Sequence, residues 1–505
     1  MLGEEHILWD VVEEHLDEAE FLVEQWCSAR SSASYTLEEL RDGPEARLLA
    51  HVDAMVTNGP AALQRVAWPV IDSSDEPTAI AAAALAVLDS GDFRVLDASL
   101  EDAPGQEPDD DDALDEDDDL PPELELEAQR FLAHAAATGP DQDSDDDEAA
   151  GAEVVPLPVG PQADTPAASP RSQGLSLALA LASHPELDDQ VRARLAKAQG
   201  STLRLLLQAC ADRGLDAGPA LERGLMHDDP AIVVAAVRAA AFGSRHHLLA
   251  PVETLLRHPT LQVRQDALDT ALSWGSDAAW TVVTHAYAQP HGRRAMVWAA
   301  TLGDDRHAQA LVELLDDEAR RPDALWALGL SGRVPAVVAC LPWLDCDDET
   351  IRRLAGEAVT TIVGLDLEDE SLWEEPKGDQ SEDEPGIDGD EPDDDDDDLD
   401  ADLVERPEDD LPLPNAEAIR AWWAQHEGAF VPGQRYLLGK PIGKQGPSAI
   451  LDQLSCRQLD SLAREMVARS QGVRPWPMRA LAGSHLHAVD ELVKLGARAT
   501  VMRDR

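Results

Sequence analysis

The sequence predicts an all-α chain organised as an α-solenoid, a stack of short helix–turn–helix repeats carrying disordered acidic insertions and ending in a small C-terminal module. Three observations predict it. Aromatic residues make up 4% of the chain while 44% is hydrophobic, so the core has to be built mainly from Ala, Leu and Val, a helical composition. Glycines recur at Gly214, Gly243, Gly275, Gly303, Gly332 and Gly364 with spacings of 28 to 32 residues, and a fixed period of that length marks a repeat architecture. Prolines at Pro230, Pro259, Pro290 and Pro322 recur every 29 to 32 residues, near the start of the first helix of each unit, where a missing N–H is tolerated.

Residues 1–100 have amphipathic helical spacing and are expected to form an N-terminal helical region. Their longest apolar run, residues 79–88, is about half the ~20 residues that a membrane-spanning helix needs. The first residues lack the basic and apolar regions of a secretory signal. The five cysteines, Cys27, Cys210, Cys340, Cys346 and Cys456, are scattered and form no C-x-x-C pair, which fits a reducing compartment. The expectation is a cytoplasmic protein with no membrane partner.

Acidity is concentrated in two tracts. Of 100 Asp and Glu against 40 Lys and Arg, residues 101–150 hold 21 acids against one base, and residues 366–410 hold 25 against two. Such blocks cannot bury enough apolar surface to offset the entropy of ordering them. Residues 101–172 are therefore expected to be largely disordered, with a possible helix at 121–137 and linker composition over 154–172, and residues 366–413 to be a disordered acidic linker. Solvated spacers are the simpler reading of the tracts; attraction of a basic partner or docking onto the chain itself is the functional one. The net charge of -60 argues against nucleic acid and anionic membranes as partners.

Residues 173–365 carry the repeats. Apolar helical stretches at 232–242, 263–274, 295–302, 324–330 and 351–363 precede the glycines, and second stretches follow, as at 248–256, 278–286, 308–315 and 334–341. Each unit reads helix, turn, helix, with glycine at the position where a left-handed backbone costs least. Neither face of one pair can be buried alone, so stacking supplies the core, and the ridge of second helices is the expected contact surface.

Residues 414–505 form the C-terminal helical module. Asn415 caps a helix reaching about His426 that places Ile419, Trp422 and Trp423 on one face. Pro432, Gly433, Gly439 and Pro441 make residues 430–442 extended and turn-containing, and residues 461–470 and 486–495 are helical again. Trp422, Trp423 and Tyr436 are either the small core of a terminal cap or a docking face for a partner.

The phrases LQVRQDAL at 261–268 and TIRRLAGEAV at 350–359 resemble the first helix of HEAT repeats, and the period is similar to the short, phycobilin-lyase-like subtype. That resemblance covers about residues 200–365. Residues 10–21, YTLEEL at 35–40 and ARLLAHVD at 46–53 resemble the opening of an uncharacterised proteobacterial HEAT-repeat family, as do Trp422, Trp423, Phe430, Gly433 and RYLLGKPI at 435–442 its close. Members are often encoded near type VI secretion genes, which implies an accessory or adaptor role. The two acidic insertions depart from that family's pattern.

HEAT-like folds include enzymes, so catalytic signatures matter on this background. Di-iron hydroxylases of HEAT-like fold repeat His-Glu pairs, and this chain has one, His426-Glu427, outside the repeats. His184, His227 and His258 precede turns and read as turn hydrogen-bonding residues rather than ligands; His246 and His247 read the same way. No nucleophile elbow, Walker loop, dinucleotide fingerprint or zincin motif is present, and Cys340 and Cys346 read as helical-context cysteines. Arg264 and Arg352 lie near the starts of first helices, where a guanidinium can bond the neighbouring unit, with Asp229, Asp316 and Asp348 as candidate partners. With Arg294 they form the functional alternative, an arginine-lined groove for an acidic peptide or for the chain's own acidic tract. Trp274, Trp280, Trp298, Trp326 and Trp343 read mostly as half-buried packing residues. The expected function is a non-catalytic protein–protein interaction scaffold or adaptor, needing no cofactor or metal and binding an unidentified protein partner; the alternative is an enzyme or lyase on the same scaffold.

Overall fold

The computed structural model describes residues 7–97, 168–289, 292–374, 407–443, 446–477 and 479–497. The described residues belong to one compact unit. The helix expected at 121–137 and residues 375–406 of the second acidic tract lie outside the described residues.

Among the described residues this unit is all-α apart from one small hairpin. It opens with α1 (Trp9–Ser31), α2 (Leu37–Leu40), α3 (Ala46–Thr57), α4 (Pro60–Ser73) and α5 (Pro77–Asp89). A Thr36–Glu39 capping box starts α2, and Pro60 and Pro77 occupy first-turn positions that donate no helical hydrogen bond. The apolar run 79–88 is buried at every position, as expected of a helix that is hydrophobic on all sides. It is surrounded by α1, α3, α4 and the next helix, α6 (Pro170–Leu181). Among the described residues no helix is long and apolar enough to cross a membrane.

The start of α6 falls inside the stretch 154–172, whose composition reads as linker. Ser169 caps it by accepting from the Ser172 N–H. A Cβ on Gly174 would lie 2.6 Å from the Pro77 carbonyl oxygen and 2.7 Å from Ile80 Cβ, so α5 and α6 touch closely.

Paired helices follow: α7 (Leu187–Leu195), α8 (Gly200–Arg213) with α9 (Ala220–Leu225), α10 (Pro230–Ala240) with α11 (Arg245–Thr254), α12 (Leu261–Ser273) with α13 (Asp277–Ala286), α14 (Arg293–Leu302) with α15 (Asp305–Glu313), α16 (Arg321–Ser331) with α17 (Val334–Cys340), and α18 (Glu349–Val363). First helices pack side by side, α5 on α6, α6 on α8, α8 on α10 and α10 on α12, then α14 on α16 and α16 on α18. Between α12 and α14 polar side chains make the join: Trp298 Nε1 donates to Asp269 at 2.7 Å, and Arg294 bonds Asp266 at 2.6 Å.

The punctuation has two physical causes. Gly214, Gly275, Gly332 and Gly364 have φ between +66° and +80°, the left-handed backbone that glycine adopts at least cost. Gly243 and Gly303 depart from that expectation, and Gly303 ends α14 with φ -75°. Space is the constraint there, because a Cβ on Gly243 would meet Leu221 and Leu248 at 2.8 Å, and one on Gly303 would meet the Ala299 carbonyl. Pro230 opens α10 and Pro322 lies in the first turn of α16. Pro259 precedes α12, and Pro290 is outside the described residues.

The C-terminal portion holds α19 (Ala416–His426), β1 (Arg435–Leu437), β2 (Lys440–Ile442), α20 (Cys456–Arg469) and α21 (Ala482–Ala497). The hairpin covers the ends of α16 and α18: Tyr436 N donates to Gly332 O at 2.7 Å, and Leu438 N to Thr361 O at 2.7 Å. These carbonyls have no partner within their own helices. Helix α20 crosses the row of first helices, touching α12, α14 and α16, and also packs against α1. The flanks of the second acidic tract are packed as well. Leu372 and Trp373 are buried, Trp373 bridges Pro414, and Glu408 is ion-paired to Arg457 at 3.1 Å.

Candidate functional site

Between α20 and the first helices lies a cavity of about 1160 Å³. The roughly 300–1,000 Å³ of ordinary small-molecule sites is smaller. Its wall takes Trp26, Cys27 and Arg30 from α1, Arg204 and Gln208 from α8, Arg238 from α10, Asp269 from α12, Arg293 and Arg294 from α14, and Trp326 from α16. Arg457, Asp460, Ser461 and Arg464 come from α20, with Arg479 and Pro407 beside them. The four α20 residues stand at i, i+3, i+4 and i+7, a spacing that shares one helix face. In all, eight arginines and two aspartates line it.

Most of these guanidinium groups are held by carboxylates. Asp266, buried behind the wall, accepts from Arg238 at 3.0 Å, Arg294 at 2.6 Å and Gln262 at 2.9 Å. Burial alone would raise its carboxyl, but Arg238 and Arg294 hold it below the ordinary range. Asp269 accepts from Arg464 at 3.0 Å and Arg294 at 3.2 Å. Asp460 is likewise held low against its burial, chiefly by Arg30 at 2.6 Å. Arg457 pairs with Glu357 at 2.8 Å and lies over the Trp326 ring, 4.2 Å from its centroid.

Positive charge remains in excess. Arg204 donates to Ser172 Oγ at 2.7 Å, and among the described residues neither Arg204 nor Arg479 has a carboxylate within 4.0 Å. Burial pushes the Glu357 carboxyl up to about 7 even beside Arg457, and pushes Asp212 up to about 7, so both carry reduced negative charge at neutral pH. The Arg30 and Arg457 side chains are each 9% exposed, yet their Nε groups lack an acceptor among the described residues. A buried donor without an acceptor costs roughly 1–3 kcal/mol.

The residues expected from sequence are distributed over several places. Arg294 lies in the cavity wall. Arg264 instead donates to the His258 and Pro259 carbonyls, both at 2.7 Å. Arg352 bonds Leu344 O, Pro414 O and Glu374. Buried Trp423 and Tyr436 flank half-buried Phe430, with ring centroids 5.4 and 4.9 Å from its own, and Tyr436 accepts the Val431 N–H at 2.9 Å. Trp422 is half-buried and stacks on His426 at 4.2 Å. Asp229 and Asp348 cap α10 and α18 rather than pairing with arginines.

His184, His227 and His258 share one geometry: each Nδ1 accepts from the backbone N–H two residues on, at 3.0 to 3.2 Å. Among the described residues no group of three His, Cys, Asp or Glu is placed to hold a metal. Burial pushes Cys210 and Cys340 up to about 12, away from thiolate chemistry.

Sequence reasoning missed Arg204, Arg238, Arg457 and Arg464. Arg238 follows the buried stripe of α10 and was open to detection from the repeat register. Arg457 and Arg464 join the wall from a helix almost 200 positions beyond Asp269, where no periodicity announces the contact. No protein-family model matches the chain, and no curated protein matches it.

Proposed function

We propose that the chain is a non-catalytic α-solenoid scaffold of short HEAT-like repeats that holds an acidic segment of a protein partner in its arginine-lined cavity. The observation that carries this reading is the cavity: eight arginines in a protein of net charge -60, two of them with no carboxylate partner among the described residues. Its volume suits a stretch of polypeptide better than a compact metabolite. Single-stranded nucleic acid would need open aromatic faces for base stacking, whereas Arg457 covers Trp326 and Trp298 is tied to Asp269. Binding is favoured over catalysis because Asp269 and Asp460 are both engaged by arginines, leaving neither as an unencumbered general base. An accessory role in bacterial secretion is the cellular setting proposed, in keeping with the family resemblance.

A labelled 14-residue Asp-rich peptide tests this directly. It is titrated into the chain with Asp393→Asn through Asp398→Asn, so that the added peptide does not compete with that run. Saturable binding that weakens with salt, and that Arg204→Gln with Arg479→Gln reduces, is expected. Binding indifferent to both would contradict the reading.

A further inference from the structure

We propose that the aspartate run at 393–398 is the resting occupant of this cavity, so that the chain competes with its own acidic partners. This rests on the reading of the cavity as a site for acidic polypeptide. Charge complementarity is the first support, since the run is six consecutive aspartates within a tract of 25 acids against two bases. The second support is where the tract ends.

Pro407, the first described residue after the tract, belongs to the cavity wall. Its neighbour Glu408 is ion-paired to Arg457 at 3.1 Å. The Glu408 and Asp409 carbonyls accept from Arg353, and Asp410 accepts from Ser32, next to the end of α1, at 3.3 Å. The chain leaving the tract is thus fastened at the cavity, with its first acidic side chain already on a wall arginine.

Reach and concentration complete the argument. Asp398 precedes Pro407 by nine residues, and at about 3.3 Å per extended residue that allows about 30 Å, enough to cross the site. A segment on so short a tether acts at an effective concentration of about 1 mM. If the free run binds at about 10 μM, tethering weakens an external acidic peptide about 100-fold.

The experiment compares three full-length proteins: the parent, the Asp393→Asn through Asp398→Asn variant, and that variant with Arg204→Gln and Arg479→Gln. A fluorescein-labelled peptide of residues 389–402 is titrated into each at low and high salt, and anisotropy is read. The expected result is binding about 100-fold tighter to the asparagine variant than to the parent, as the tethering estimate gives, with the gain lost in the third protein. Equal binding to parent and asparagine variant, with loss in the third, overturns self-occupancy and leaves the site intact. Absence of binding to the asparagine variant overturns both readings, and so does binding unchanged in the third protein. A single cooperative melting transition verifies that each of the three proteins folds, with the parent melting above the asparagine variant because the bound run stabilises it.

Discussion

Arginines at the turns and arginines facing α20 contrast in what they meet. At the turns, Arg213 donates to the Leu179 and Ala182 carbonyls at 2.8 and 2.7 Å, Arg264 to His258 and Pro259, and Arg333 to Gly303 at 2.6 Å. Each satisfies carbonyl oxygens at a helix end or in the turn between helices. At the cavity, Arg238 and Arg294 of the first helices and Arg464 of α20 lean on Asp266 or Asp269, while Arg204 bonds Ser172 Oγ with no carboxylate within 4.0 Å among the described residues. The contrast teaches that one residue type stabilises where it closes backbone accounts and binds where its donors stay in excess. Losing a turn arginine should lower stability; losing an unpaired cavity arginine should lower binding.

The largest effect is expected at Arg435, which joins the two settings. It bonds Ser331 O at 2.8 Å and Glu465 at 2.6 Å, and Glu465 is fully buried between Arg435 and Arg469. Removing one partner of a buried pair costs about 3–5 kcal/mol, so Arg435→Ala should show that loss in urea unfolding. Arg213→Ala, which frees two carbonyls, should cost about 1–3 kcal/mol by the same measurement. A loss below about 0.5 kcal/mol, the usual scale of plain surface changes, would break the comparison on its turn side.

A pH series sharpens it. Burial raises the Glu357 carboxyl from its ordinary 4.5 to about 7, so between those values the folded chain keeps a proton that the unfolded chain has released. The stability contributed by this group is therefore full below about pH 4.5 and is lost as pH rises through about 7. Glu357→Gln does not titrate, and its melting temperature relative to the parent should climb across that window; a difference independent of pH would contradict the burial argument. The smallest effect on stability is expected for Arg204→Gln, within about 0.5 kcal/mol, while affinity for an acidic peptide falls.

Local order was legible because it is written in single residues. Asn415 caps α19, accepting the Ala418 N–H at 3.2 Å, and the helix-pair period appears in Gly214, Gly332 and Gly364, whose φ values are positive. Gly243 and Gly303 show the limit, since their glycines answer to neighbouring atoms rather than to φ. Of the site, Arg294 was legible as part of an arginine groove, but the groove's other side was not. Arg457 and Arg464 meet Glu357 and Asp269 only through packing between segments 100 and 195 residues apart. Long-range closure of that kind leaves no mark on hydrophobic period or turn chemistry. The hairpin's place over Gly332 and Gly364 was hidden for the same reason.

The central claim, that donors in the cavity wall hold acidic polypeptide, is tested most directly by arginine-selective modification with phenylglyoxal, read residue by residue by mass spectrometry. The asparagine-substituted chain is modified with and without the 389–402 peptide. With peptide at about ten times its Kd, mass action leaves about a tenth of the sites open, so modification of Arg204 and Arg479 should slow about tenfold while Arg264 is unaffected. Equal rates at all three positions, with the peptide bound, would contradict the account.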